Sequence, residues 1–377
     1  MADDTLGAGR RLLFYVLAVA LVVVPVLGVT EIYLRFFSRA GTITPEILRN
    51  RSLQYVSTLV SKPVFDQREM RVRGWDDLEY RINAKGYRGR DFEVPKPEGT
   101  VRVVVYGGSA VFDLGAAEGD DWPHRVERLL REHGHPEVEV INAGIPNHAS
   151  WDAVGRLFAE GHTFDPDYVV LYAAWNDIKY FRTDELLLRA YARTECTDDP
   201  RVHYQNGLDR WLCETSQIYV RARILYWDWK LDPGAEGRTE GEPPSDRISA
   251  LGPRQYRINV AMFVDLARNI GTEPILVTQA RLVAPDNTPE QRRRIGYEWV
   301  SLTHEALCEA YAETDRALLE IGERKGVDVI DASSAMTGVD EWFRDHVHLS
   351  TVGSQRLARL VADELERRLG EPTPPED

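Results

Sequence analysis

The run Val101-Arg102-Val103-Val104-Val105-Tyr106, followed by Gly107-Gly108-Ser109-Ala110, constrains the fold more than any other stretch of the chain. Its apolar, β-branched character is that of a strand covered on both faces, as in a parallel sheet. Two glycines then let the backbone turn sharply and admit close neighbours. A serine just beyond the carboxyl end of a parallel strand stands where open α/β sheets bind ligands.

The same pattern recurs downstream. Val138–Asn142, Tyr168–Ala173, Pro274–Thr278 and Val327–Ile330 read as further strands. Trp122–His133, with Asp120 or Asp121 as its cap, reads as a helix, and so does Ser150–Gly161, with Ser150 as N-cap. Glu298–Lys325 holds long helical stretches, and Thr351–Leu369 is a final amphipathic helix. Strands alternating with helices predict an α/β fold: a three-layer α/β/α sandwich around a central parallel sheet of about five strands.

The N-terminus carries a different signal. Leu12 to Thr30 contains no charged residue, and about twenty apolar residues span a bilayer. The reading is a transmembrane anchor over 12–30 behind a cytoplasmic segment 1–11. Arg10 and Arg11 favour that orientation, while Arg35 and Arg39 on the far side oppose it. The rival is a signal peptide cleaved near Val26-Leu27-Gly28. Either option places the rest of the chain outside the cytoplasmic membrane, in the periplasm or at the cell surface.

Residues 31–99 then read as a membrane-proximal stalk and lead-in with scattered helical patterns, and 100–370 as the main domain. Within it, 178–261 breaks the strand–helix rhythm. This insert is rich in Tyr and Trp, has a polar middle, and is able to cover a site and select substrate. Residues 371–377 form a Pro-rich acidic tail, expected to be disordered.

A net charge of −14 argues against nucleic-acid binding, which wants a basic stripe. Three cysteines are too few for a disulfide scaffold. Cys196 and Cys213 flank a polar loop and either pair or remain thiols, and Cys308 falls in a predicted helix. No CxxC or HExxH pattern calls for a metal, and no cofactor is expected.

Four short blocks fall at the ends of predicted strands or beside the last one: Gly107-Gly108-Ser109, Ile141-Asn142-Ala143-Gly144-Ile145-Pro146, Tyr172-Ala173-Ala174-Trp175-Asn176-Asp177 and Asp345-His346-Val347-His348-Leu349-Ser350. Hydroxyl, imidazole and carboxylate are the parts of an activated serine nucleophile. In order and spacing the blocks resemble the SGNH, or GDSL-like, hydrolase superfamily over about residues 100 to 370. The resemblance implies the SGNH-hydrolase, flavodoxin-like version of the α/β fold. It makes Ser109 the nucleophile, His348 the general base and Asp345 its orienting partner. The Ser109 N–H, the Gly144 N–H and the Asn176 amide would form the oxyanion hole.

Two positions depart from the family pattern. Gly108 stands where an Asp is usual before the serine, and Ala174 where a Gly is usual before the Asn. His346 competes with His348 as base and is otherwise expected to face solvent or lie near substrate. Asp177 is expected to be a structural hydrogen-bond partner, His148 a candidate pocket residue, and Arg281 a member of a surface salt bridge. The resemblance and the anchor together imply an extracytoplasmic esterase or deacylase. Its substrates would be O-acyl esters on a small molecule, cell-envelope glycan, lipid or exported polymer. The alternatives are an O-acyltransferase using the same triad and a non-catalytic glycan-binding protein.

Overall fold

The computed structural model describes residues 8–38, 55–57, 63–65, 70–73, 78–184, 206–230 and 243–370. Cys196, residues 231–242 in the middle of the insert and the 371–377 tail lie outside the described residues. The chain divides into two compact units, one of residues 1–52 with 197–236 and the other of 53–196 with 237–377.

The larger unit is built on a parallel sheet of β1 (Val101–Gly107), β2 (Val138–Gly144), β3 (Tyr168–Tyr172), β4 (Glu273–Val277) and β5 (Val329–Ile330). Their order across the sheet is β2-β1-β3-β4-β5, every neighbouring pair parallel. This is a doubly wound arrangement with its switch point beside β1. Register runs Val101 against Val138 to Gly107 against Gly144, and Val103 against Tyr168 to Gly107 against Tyr172. The carboxyl ends of β1, β2 and β3 therefore finish level with one another.

Helices cover both faces, as right-handed crossovers require. Trp122–Glu132 packs against Thr351–Leu369, while Ser150–Arg156, Leu251–Asn269 and His304–Lys325 pack together on the other side. Val103, Val104, Val105, Val169, Val170, Leu171, Ile275, Leu276 and Val277 are all buried, which is why these strands are apolar without alternation. Sequence and structure agree on strand positions to within a residue or two. The helix begun at Ser150 passes at Leu157–Gly161 into a wider π turn. Ser150 does not cap it, because its hydroxyl bonds the Asp177 carboxylate instead.

The lead-in differs more from expectation. Met70–Arg73 pairs antiparallel with Glu79–Ile82, and Tyr55–Ser57 with Pro63–Phe65, in place of helical patterns. Residues 78–99 lie within the larger unit. Arg88 is 2% exposed and donates to the carbonyls of Phe112, Asp113, Ala116 and Ala117. Its guanidinium lies over the rings of Tyr80 and Phe112, 4.6 and 4.9 Å from their centroids, and Nε is 3.5 Å from buried Asp121. No local pattern announces such a contact, because its partners are backbone carbonyls more than twenty residues away.

Among the described residues the smaller unit holds three helices: α1 (Ala8–Phe36), α2 (Gly207–Thr215) and α3 (Gln217–Lys230). Helix α1 runs past the expected end at Thr30 and passes through Pro25 without breaking. Its Leu13–Phe36 stretch of 24 residues is long and apolar enough to cross a membrane, as an anchor or a signal sequence would be. Cys213 is a buried free thiol against the Asp209 carboxylate.

Removing Arg88 strands the carbonyls of four residues in the core and takes a cation from beside Asp121. Arg88→Met is expected to destabilise the protein by about 3–5 kcal/mol. Arg88→Lys should recover little, since an ammonium cannot span the same fork. Urea denaturation of the two variants, followed by near-ultraviolet circular dichroism, checks this.

Candidate active site

Ser109 opens a one-turn helix, Ser109–Phe112, at the carboxyl end of β1. As its first residue, it has no carbonyl within the helix to receive its N–H. Asn176 lies in the short helix Trp175–Ile178 just after β3. Asp345 and His348 come from the loop that enters the last helix, whose cap is Ser350. Sheet topology thus brings together residues 239 positions apart in the chain.

The three side chains form one hydrogen-bonded line. His348 Nε2 is 2.8 Å from Ser109 Oγ, and His348 Nδ1 is 2.7 Å from Asp345 Oδ2. The other carboxylate oxygen accepts the N–H groups of Val347 and His348, each at 2.8 Å. Burial raises the Asp345 carboxyl, but the His348 bond and charge, nearby His346 and the Val347 N–H outweigh it and hold the group well below the usual carboxylate range. An ionised Asp345 fixes the imidazole with its proton on Nδ1, leaving Nε2 free to accept from Ser109.

Asn176 sits against the serine turn. One of its amide hydrogens goes to the His148 carbonyl at 2.9 Å. A Cβ on Gly108 would come within 2.5 Å of Asn176 Nδ2 and 2.8 Å of the His148 oxygen. This explains why the residue before the serine is a glycine in this chain. The Asn176 loop is pinned from behind by Gln279, whose side-chain oxygen accepts the Trp175 N–H at 2.7 Å, and by Tyr256, whose hydroxyl donates to the Ala173 carbonyl. Asp177 accepts from the N–H and hydroxyl of Ser150 at 3.0 and 2.5 Å.

Three expectations are corrected. The Gly144 N–H bonds the Asn142 side-chain oxygen at 2.9 Å, and the glycine packs on the backbone of Val111 and Phe112. Its N–H is thus engaged within the protein, and the glycine supports the helix that carries Ser109 from below. His346 does not face solvent. It is 7% exposed, its ring centroid lies 4.0 Å from that of Trp175, and its Nδ1 receives the Gly296 N–H. Burial, with His348 and Lys179, lowers it to about 4 against the pull of Asp345, so it is neutral at physiological pH. Arg281 is buried, not at the surface, and forks onto Asp315 at 3.1 and 2.7 Å beneath the site.

Asn142 and Gln279 were not singled out in the sequence. Asn142 donates to the Val111 carbonyl and to Asp121 while accepting from Gly144, so one buried amide ties β2 to the serine turn. The only sequence hint was its place in the second block. Gln279 follows β4 directly, the same strand end that drew attention to Arg281.

The cleft beside Ser109 offers about 220 Å³ of space, part of it open to solvent, and is lined by Gly108, His148, Ala173, Ala174, Trp175, Gln279 and Val347, among others. Among the described residues no cluster of His, Cys, Asp and Glu is arranged to hold a metal.

A hydroxyl, an imidazole and a carboxylate in line at the carboxyl edge of a parallel sheet define the class of site found in serine hydrolases. Residues 105–356 match the GDSL-like lipase/acylhydrolase family, and the chain belongs to it: this is an ester-hydrolysing enzyme. No curated protein matches the chain. Among solved structures it is similar to a lipase/acylhydrolase from Enterococcus faecalis, at 19% identity and a TM-score of 0.43, over 73% of this chain and 100% of that one. It is also similar to an acetylxylan esterase from Geobacillus stearothermophilus, at 15% identity and a TM-score of 0.41, over 70% of this chain and 94% of that one.

Two substitutions probe the packing. Gly108→Ala should lower kcat by tenfold or more while the fold survives, because the added methyl displaces the Asn176 amide; steady-state kinetics alongside a thermal melt would separate the two effects. Asp113, two residues beyond Val111 and 2% exposed, is raised to about 6 by burial, with Asp121 adding to the shift and the Ser354 hydrogen bond opposing it. A folded-state value above the unfolded one means the native protein binds this proton more tightly. The stabilisation is fully present below the unfolded carboxyl value near 4 and is lost as pH rises through about 6. Asp113→Asn should therefore gain stability relative to the parent between pH 4 and 7, by on the order of 2 kcal/mol, as read from chemical denaturation at each pH.

Proposed function

We propose that the protein is a membrane-anchored, extracytoplasmic serine esterase that removes short O-acyl groups from cell-envelope glycans, lipids or exported polymers. The observation that carries this reading is the line from Ser109 Oγ through His348 to Asp345, at 2.8 and 2.7 Å. His348 Nε2 takes the serine proton as Oγ bonds the acyl carbonyl carbon, and Asp345 steadies the imidazolium that results. The proton then passes to the departing alcohol oxygen as the ester C–O bond breaks. Water attacks the acyl-enzyme by the same route in reverse, releasing the acid and restoring the serine.

The developing oxyanion faces the Ser109 N–H and the remaining amide hydrogen of Asn176. With the Gly144 N–H engaged elsewhere, the third donor position falls to the turn of residues 145–148. Asn147 in that turn holds a left-handed conformation, φ 68°, and the His148 carbonyl already abuts Gly108. The narrowness of the cleft and its wall of Ala173, Ala174 and Val347 favour a short acyl group over a long one. The extracytoplasmic side is supported by the uncharged helix and by Arg10 and Arg11 ahead of it.

Hydrolysis of p-nitrophenyl acetate and butyrate by the full chain in detergent micelles tests the proposal. Acetate should be preferred. Ser109→Ala should abolish turnover, Asp345→Asn should lower kcat by about 10⁴-fold, and Asn176→Ala by about 10²–10³-fold. Turnover that persists in Ser109→Ala would sink the assignment, and an equal rate on longer esters would remove the short-acyl part of it.

A further inference from the structure

Helices α2 and α3 form a tight hairpin with one polar lock inside it. Arg223 forks onto Asp209 at 2.7 and 2.9 Å, Tyr219 donates to the same carboxylate at 2.9 Å, and Cys213, Val220 and Ile224 are buried around them. The outer face is unlike an ordinary soluble surface. Leu208 and Trp211 on α2, and Leu225, Tyr226 and Trp229 on α3, are 64%, 58%, 68%, 49% and 79% exposed. Ala222, Leu225, Tyr226 and Trp229 follow the i, i+3, i+4, i+7 spacing and share one side of α3. Large apolar side chains left exposed together are unfavourable in water, and each is worth about 1.5–3 kcal/mol when covered.

The chain itself indicates what covers it. Glu31, near the end of α1, accepts the N–H groups of Gln217 and Ile218 at 2.6 and 3.0 Å and the Ser216 hydroxyl at 3.1 Å. Arg35 donates to the Thr215 carbonyl at 2.5 Å and pairs with Glu31 at 2.8 Å. The turn between α2 and α3 is thus fixed at the level of Glu31. From Leu13 to Thr30 the helix carries no charge, a length of roughly 27 Å, close to the thickness of a bilayer's hydrocarbon core. Glu31 and Arg35 therefore mark the membrane–water boundary. Trp and Tyr are the side chains that settle at that boundary, and Lys230, with its ammonium over the rings of Tyr226 and Trp227 at 5.6 and 4.9 Å, suits anionic headgroups.

We propose that the α2–α3 hairpin is an interfacial membrane element, with Trp211, Leu225, Tyr226 and Trp229 embedded in the headgroup–acyl boundary of the leaflet from which α1 emerges. The proposal rests on α1 being a retained anchor.

The test uses the full chain in nanodiscs of phosphatidylcholine and phosphatidylglycerol whose acyl chains carry bromine near the headgroup. Helix α1 contains no tryptophan, so quenching reports on other segments. Emission of the parent should be quenched, and the Trp211→Phe/Trp229→Phe variant should lose more than half of that quenching while keeping its circular dichroism. Quenching absent in the parent, or unchanged in the variant, overturns the proposal. Intact mass and co-elution with the discs are read on the same sample. Loss of residues 1–28, or a chain that elutes free of lipid, overturns the anchor reading instead, and the inference with it.

Discussion

Arg88 gathers four backbone carbonyls from the segment that follows the nucleophile turn, and sits between two aromatic rings beside the buried carboxylate of Asp121. That segment has little regular structure of its own, so its carbonyls would otherwise be buried without donors. With the guanidinium in place, the chain after Ser109 is rigid enough for Asp113 to hold both the Trp122 N–H and the Ser354 hydroxyl. Ser354 belongs to the same helix that Ser350 caps just beyond His348. The positions of Ser109 and His348 are therefore linked through a chain of buried polar contacts that begins at residue 88.

The site divides into a local half and a long-range half. Asp345 and His348 orient each other within a few residues, through a side-chain bond and two backbone N–H groups. The meeting with Ser109 depends on the sheet. Parallel register levels the ends of β1, β2 and β3, so the loops that follow converge on one patch. Gln279, from the loop after β4, and Tyr256, from the helix Leu251–Asn269, hold the Asn176 loop in place.

The fold was legible because buried parallel strands are apolar runs and their ends carry glycine and turn residues. That Ser109, His348, Asp345 and Asn176 meet beside one cleft was legible because each stands at such an end in a recognisable order. Gly144 was misread for an instructive reason. A glycine at a strand end can serve a ligand or a neighbouring backbone equally well, and here the neighbour is the helix carrying the serine. His346 was misread because sequence does not reveal which of two nearby imidazoles points inward. Arg88 and Asn142 act on partners remote in the chain, through backbone carbonyls that leave no side-chain pattern to match. The lead-in was opaque for the same reason: short strands pair by backbone bonds, with little periodicity.

The capping of α3 by Glu31 also bears on how portable α1 is. An apolar N-terminal helix that serves only as an anchor or an export signal can be exchanged for any other apolar helix or cut away. This one closes a second helix with its own carboxylate and holds the preceding carbonyl with Arg35. A shortened chain beginning after residue 37, or a fusion to a foreign anchor, would leave the first turn of α3 with bare N–H groups and the hairpin without its foothold. The natural boundary for protein engineering is therefore inside the apolar helix, upstream of Glu31, and not at the point where hydrophobicity ends.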